Sequence, residues 1–123
     1  MSDRYWDELA RYERDNFTVI VDKTWDDIPI RDCFDDACYD IEELEDRVNR
    51  GVMDWFMVRV RVLVDTHELG SAYLGGMLYD RAEDCLTDGS VEDLIHEAME
   101  EAKKEVWPLM RKLQAINAEL EAV

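Results

Sequence analysis

Carboxylates dominate the chemistry this chain could do, and their spacing gathers them into two stretches. Between Asp26 and Asp46 ten acidic residues stand against the single Arg31, and between Asp80 and Glu105 ten more stand against Arg81, Lys103 and Lys104. The two windows hold −9 and −7 of the formal net charge of −17, so the rest of the 123 residues is close to neutral. Charge focused in this way acts as a local field whose natural counterpart is a basic protein surface. The same field repels phosphodiester backbones and anionic headgroups, so no direct contact with nucleic acid or membrane is expected.

Other reactive residue types are sparse. Asp80, Asp84, Asp88 and Gly89 resemble the start of a calcium loop, but Leu86 and Ile95 occupy places where a ligand and the closing Glu are needed. His67, His96, Cys33, Cys38 and Cys85 lack zinc-ligand spacing. Cys85 or Ser90 near His96 offers a nucleophile and a base without any local signature, and His96 reads more simply as a surface residue of an acidic helix. Gly75-Gly76 alone is no phosphate loop. No catalytic residue, metal or cofactor is therefore expected. The odd number of cysteines, with Cys33 and Cys38 five apart on different helix azimuths, reads as reduced thiols. With no leader-like N-terminus and no apolar run near the ~20 residues a membrane span requires, a cytoplasmic protein is expected.

The elements that must carry these residues follow from periodicity. Length predicts one domain over 1–123, and a hydrophobic fraction of 47% is too high for a disordered acidic tail. Ser2 to Arg14 places Tyr5, Trp6, Leu9, Ala10 and Tyr12 at spacings of a short amphipathic helix, with Ser2 as cap. Phe17 to Lys23 reads as a strand through Thr18, Val19, Ile20 and Val21. Phe34, Ala37, Cys38, Ile41, Leu44 and Val48 recur at three and four before Gly51, predicting a helix of about five turns. Trp55 to Asp65 alternates like a strand, with Phe56, Val58, Val60, Val62 and Val64 on one side, and Ser71 to Tyr79 returns as its hairpin partner with a bulge at Gly75-Gly76. Asp80 to Leu86 suits a short helix. Ser90 then caps a helix with stripe Val91, Leu94, Ile95, Ala98, Met99, Ala102 and Val106, Asp93 taking the capping-box position. Pro108 should break or kink it near Lys104 before Leu109 to Leu120 resumes with nearly balanced charge. The expected fold is α+β, an antiparallel sheet of about three strands covered by amphipathic helices, in the order α-β-α-β-β-α-α.

On a helical wheel, Asp32, Asp35, Asp36, Asp40, Glu42, Glu43 and Asp46 lie opposite the apolar stripe, with Glu45 at its edge. A helix from Asp32 to Arg50 would be about 28 Å long and carry these acids at about the density of phosphates along one DNA strand. The helix from Val91 to Val106, about 24 Å long, carries Glu92, Asp93, Glu97, Glu100, Glu101 and Glu105 against about seven phosphates. A solvated surface helix would intersperse Lys or Arg at i+4, and these stretches largely omit them. The candidate contact residues are Asp35, Asp36, Asp40, Glu43 and Asp46 on one face, and Asp93, Glu97, Glu100 and Glu101 on the other.

Through Asp26 to Asp46 and Asp80 to Glu105, its small size, its reduced cysteines and its missing catalytic signature, the chain resembles the small acidic anti-defence proteins of phages and mobile elements, the DNA-mimic antirestriction and anti-CRISPR class. Members of that class share no single fold, so no residue role transfers by position. The resemblance implies a non-enzymatic inhibitor that occupies the nucleic-acid channel of a restriction enzyme or CRISPR effector complex, its carboxylates meeting Lys and Arg that normally hold phosphates. An adaptor binding through aromatic and Met surfaces, with Trp55, Met57 and Leu63 beside Arg59 and Arg61 or with Trp107, is the first alternative, and those surfaces leave a homodimer open. A small Cys85/His96 hydrolase or transferase is the second.

Overall fold

Four strands and two helices, linked in the order β-β-α-β-β-α, make up the computed structural model, which describes residues 5–123. Strands β1 (Asp7–Glu13), β2 (Thr18–Trp25), β3 (Asp54–Val64) and β4 (His67–Tyr79) form an antiparallel meander in sequence order. Helix α1 (Ile41–Asn49) lies between β2 and β3, and α2 (Ser90–Glu121) follows β4; short 3-10 turns cover Ile30–Asp32 and Ala82–Leu86.

The core is a sandwich of one sheet face and half of one helix. Val19 and Val21 of β2 lie opposite Val62 and Val60 of β3, and Ala72 of β4 opposite Val60. Val91, Leu94, Ala98 and Ala102 of α2 close over them, with Phe56, Val58, Met77, Ala82 and Cys85 completing the buried cluster. The alternation of β3 puts its valines under the helix and turns Trp55, Met57, Arg59 and Arg61 to the far face. Gly70 sits where α2 comes closest: a Cβ there would lie 2.4 Å from the Ala98 carbonyl oxygen and 2.7 Å from the Ala102 nitrogen. No helix among the described residues is long and apolar enough to cross a membrane.

The expected three strands and the order α-β-α-β-β-α-α are corrected by this topology. Asp7 to Glu13 is a strand rather than a helix, because it completes the open edge of β2 with Tyr12 opposite Val19 and Ala10 opposite Val21; the pairing outweighs a local pattern that fits both periods. The proposed cap Ser2 lies outside the described residues. The five-turn helix shrinks to Ile41–Asn49, because Asp35 and Asp40 capture backbone N–H groups of Ala37 and Glu43 at 2.9 and 3.2 Å, making a turn and then a helix N-cap where the stripe implied continuous helix. Within the segment Asp80 to Leu86, expected as a short helix, only Ala82–Leu86 is helical, as a 3-10 turn. The two C-terminal helices are one, running through Pro108. Proline removes a single hydrogen bond to the Lys104 carbonyl, and Lys104 is exposed, so the vacant acceptor is open to solvent rather than buried.

The bulge expected at Gly75-Gly76 is present, and Asp26 explains its geometry. Phe56 pairs with Met77 but Val58 with Leu74, so two residues of β4 oppose one of β3. Gly76 has φ of 69° and donates its N–H to Asp26 Oδ2 at 2.7 Å, while the Ile28 N–H donates to Asp26 Oδ1. This carboxylate ties the start of the acidic loop to the outer strand.

Candidate functional site

The acidic loop is held on the sheet face away from α2. Trp55, neighbour of the core residue Phe56 but pointing the other way, donates its indole N–H to the Ile28 carbonyl at 2.9 Å and packs on Phe34, ring centroids 6.0 Å apart. Phe34 meets Tyr39 edge-on at 5.1 Å. Around this aromatic pair opens a cleft of about 630 Å³ whose rim carries Asp35, Asp36, Asp40 and Glu42. Arg31, which also lines it, is held by Glu45 through two hydrogen bonds of 3.1 and 2.6 Å, and that hydrogen bond, with burial opposing it, keeps the Glu45 carboxyl below its ordinary pKa.

Most cations of the chain are engaged internally in the same way. Arg59 grips Asp22 through hydrogen bonds of 2.9 and 2.8 Å and Arg61 adds a third at 3.2 Å, with Trp6 stacked over the Arg59 guanidinium at 4.0 Å. Asp22 is only 3% exposed, so this triad engages two arginines on the far face and leaves a single net positive charge there. Arg11 pairs with Glu8, Arg47 with Glu43, Arg50 with Asp46 and Lys103 with Glu100.

Subtracting those pairs sorts the candidate contact residues. Glu43, Asp46 and Glu100 have cations of their own at 2.8, 2.9 and 3.0 Å. Asp35 and Asp40 are exposed but also hold backbone N–H groups. Asp36, Asp93, Glu97 and Glu101 are exposed with no ion pair among the described residues. Asp32 and Glu42 near the cleft, and Glu92 and Glu105 on α2, are equally unpaired. The structure therefore presents two clusters: Asp32, Asp35, Asp36, Asp40 and Glu42 on a folded loop, and Glu92, Asp93, Glu97, Glu101 and Glu105 along the solvent side of α2. They lie on opposite faces of the sheet. Only the second keeps the rod-like spacing expected for both, because the first is a looped arc. No protein family, curated protein or solved structure matches this chain.

The residues of the Cys85/His96 alternative are each placed in a specific environment. Cys85 is fully buried, and burial, then the Asp88 charge, pushes its thiol up to about 11, so it stays protonated at neutral pH. The Ser90 hydroxyl hydrogen-bonds Asp88 at 2.7 Å and the Cys85 carbonyl at 3.3 Å. His96, 80% exposed in its side chain, reaches only Glu100 at 4.0 Å. Among the described residues no group of three or more His, Cys, Asp or Glu is placed to hold a metal ion.

Several roles were missed in the sequence. Asp40 followed by Glu43 has capping spacing, a signal masked by the apolar stripe running past it. Ser90 is the first residue of α2 rather than its cap; Gly89, at φ of 93°, precedes it, and Asp88 accepts from the Ser90 N–H and from the Tyr79 hydroxyl. Trp6 as a lid on Arg59 had no sequence signal.

Proposed function

We propose that the protein is a non-enzymatic acidic inhibitor that occupies the nucleic-acid-binding surface of a basic partner, in the manner of the DNA-mimic anti-defence class it resembles. One observation carries this reading: ten exposed carboxylates stand in two clusters with no ion pair among the described residues, while Arg11, Arg31, Arg47, Arg50, Arg59 and Arg61 are paired with other acids. The field of those clusters is offset only in part, by Arg31 at the cleft and Lys104 on α2, and a partner's Lys and Arg can meet the remainder. The cleft around Phe34 and Tyr39 adds a place for a guanidinium, which takes carboxylates through its edge and aromatic rings through its face. The α2 cluster, spread along a straight helix, matches a groove that tracks a phosphate strand; the loop cluster matches a single deep basic anchor.

The test reverses charge where no side-chain hydrogen bond or ion pair competes among the described residues; Glu42 also lies in the first turn of α1, so its variant is checked for folding by circular dichroism. Asp36→Lys with Glu42→Lys addresses the cleft, and Glu97→Lys with Glu101→Lys addresses α2. Affinity capture from a host lysate at low and high salt, read by mass spectrometry, should recover a nucleic-acid-processing complex with the native chain at low salt only, and at neither salt with the combined variant. Capture that persists in high salt and survives all four reversals would overturn the reading and favour a partner held by apolar contacts.

A further inference from the structure

From Lys103 onward every residue of α2 is exposed, and past Val106, which still lines a cleft with Phe17, Val62, Val64 and Leu69, the helix projects from the folded body. Apart from Trp107 and Met110, its large apolar residues fall in one stripe. Val106, Leu109, Leu113, Ile116 and Leu120 alternate at spacings of three and four, the a and d positions of a heptad, and they are 38–67% exposed. The stripe is continuous with Met99 and Ala102, which face the sheet. A projecting helix with one such seam cannot bury it against its own body.

We propose that this seam pairs antiparallel with the same segment of a second copy. Charge selects the occupant. Residues before Lys103 carry −18 of the net charge while those from Lys103 on carry +1, so the projecting helix is the part of the surface where two copies meet without like-charge repulsion. Charge also selects the direction. Parallel pairing sets Glu105 against Met110 and Lys112 against Asn117, makes no ion pair, and brings two acidic bodies side by side. Antiparallel pairing with Leu113 beside Ile116 of the second copy, and Leu109 beside Leu120, sets Lys112 against Glu119 twice and sends the bodies to opposite ends. Sliding that register by one heptad sets Lys112 against Lys112 and Glu105 against Glu119. A further heptad restores opposite charges but requires Ala102, already buried on the sheet, to enter the contact. In this register Pro108 to Glu121 overlap, about 21 Å long and about 10 Å wide, below the size of standard specific interfaces, which makes the dimer weak and concentration-dependent.

Sedimentation equilibrium of the full chain across a wide concentration range tests this. The expected result is a reversible monomer–dimer equilibrium that Leu113→Lys with Ile116→Lys abolishes, the folded body being monitored by near-UV circular dichroism because both residues are exposed and outside the core. Lys112→Glu should weaken the dimer about tenfold, two attractions becoming two repulsions, and Lys112→Glu with Glu119→Lys should restore it. A monomer at every concentration overturns the proposal, as does a dimer indifferent to the seam variant. A dimer that needs the seam but ignores the charge swap overturns the antiparallel arrangement.

Discussion

Replacing Gly70 by Ala tests whether α2 is seated on the sheet as described. The added Cβ would stand 2.4 Å from the Ala98 carbonyl oxygen, 2.7 Å from the Ala102 nitrogen and 3.0 Å from the Ala102 Cβ. The first two are backbone atoms and cannot swing aside, so the helix must retreat by about 1 Å to reach ordinary contact. Retreat loosens Val91, Leu94, Ala98 and Ala102 against the valines of β2 and β3 together. Overpacking of this kind costs about 1–3 kcal/mol, here at the upper end, against about 0.5–1 kcal/mol recovered by replacing a glycine inside a strand. The net loss of about 2 kcal/mol corresponds to a melting temperature lower by roughly 8 °C for a domain of this size. Gly51→Ala is the control: Gly51 has φ of 75° and no atom within 4 Å of an added Cβ, so only the left-handed backbone penalises it, by about 1 kcal/mol. Thermal melts followed by circular dichroism should rank native, then Gly51→Ala, then Gly70→Ala. If Gly70→Ala melts with the native protein, the close approach of α2 to β4 is wrong, and with it the placement of the carboxylates along that helix.

Two further outcomes follow from buried and partnered groups. Cys85, buried with its thiol pushed up to about 11, should resist alkylation at pH 8 in the native protein, while exposed Cys33 and Cys38 react; mass spectrometry should count two labels before unfolding and three after. The Asp88 carboxyl is held below its ordinary value of 3.8 by the Tyr79 hydroxyl and then by Ser90, so its contribution to stability is complete above that value and is lost as pH falls through the lower folded value. Asp88→Asn should therefore lower the urea midpoint at pH 6, with the gap from the native protein closing as the pH falls below the ordinary carboxyl value; a gap that widens in acid contradicts the assignment.

What could be read from residues alone divides along the range of the interactions responsible. The hairpin of β3 and β4, its glycine bulge and the core-facing valines are written in short-range alternation, and the sequence pattern locates them. The N-terminal strand is decided by a partner, β2, that supplies hydrogen bonds from a distance in sequence, and Tyr12 and Ala10 suit a helix face as well as a strand face. In the loop before α1 the error had a local cause: Asp35 and Asp40 act on the backbone, and counting them only as surface charge hid the turns they make. The acidic windows were legible as composition, yet which carboxylates are free was not. That depends on Arg31 reaching Glu45 fourteen residues away, and on Arg59 and Arg61 converging on Asp22 across the β2–β3 pair.

These pairings change what mimicry requires of the fold. A uniform acidic rod would need like charges stacked along both segments, each i,i+4 repulsion costing about 0.2–0.5 kcal/mol. In α1 the fold avoids much of that cost by giving Glu43 and Asp46 arginines one turn later, and it leaves carboxylates free chiefly where a turn spreads them apart around Phe34 and Tyr39. On α2 the free acids are kept on a helix whose other side is firmly buried, so packing rather than ion pairing bears the repulsion. On the proposed reading the two clusters differ in role as well as in face: the line of charge on α2 would meet a groove, and the arc around Phe34 and Tyr39 a single cation. A partner that used only the line would be indifferent to Asp36→Lys and Glu42→Lys, and one that used only the bowl would be indifferent to Glu97→Lys and Glu101→Lys. Because opposite sheet faces carry them, a partner sensitive to both pairs must wrap around the edge of the sheet or consist of two subunits.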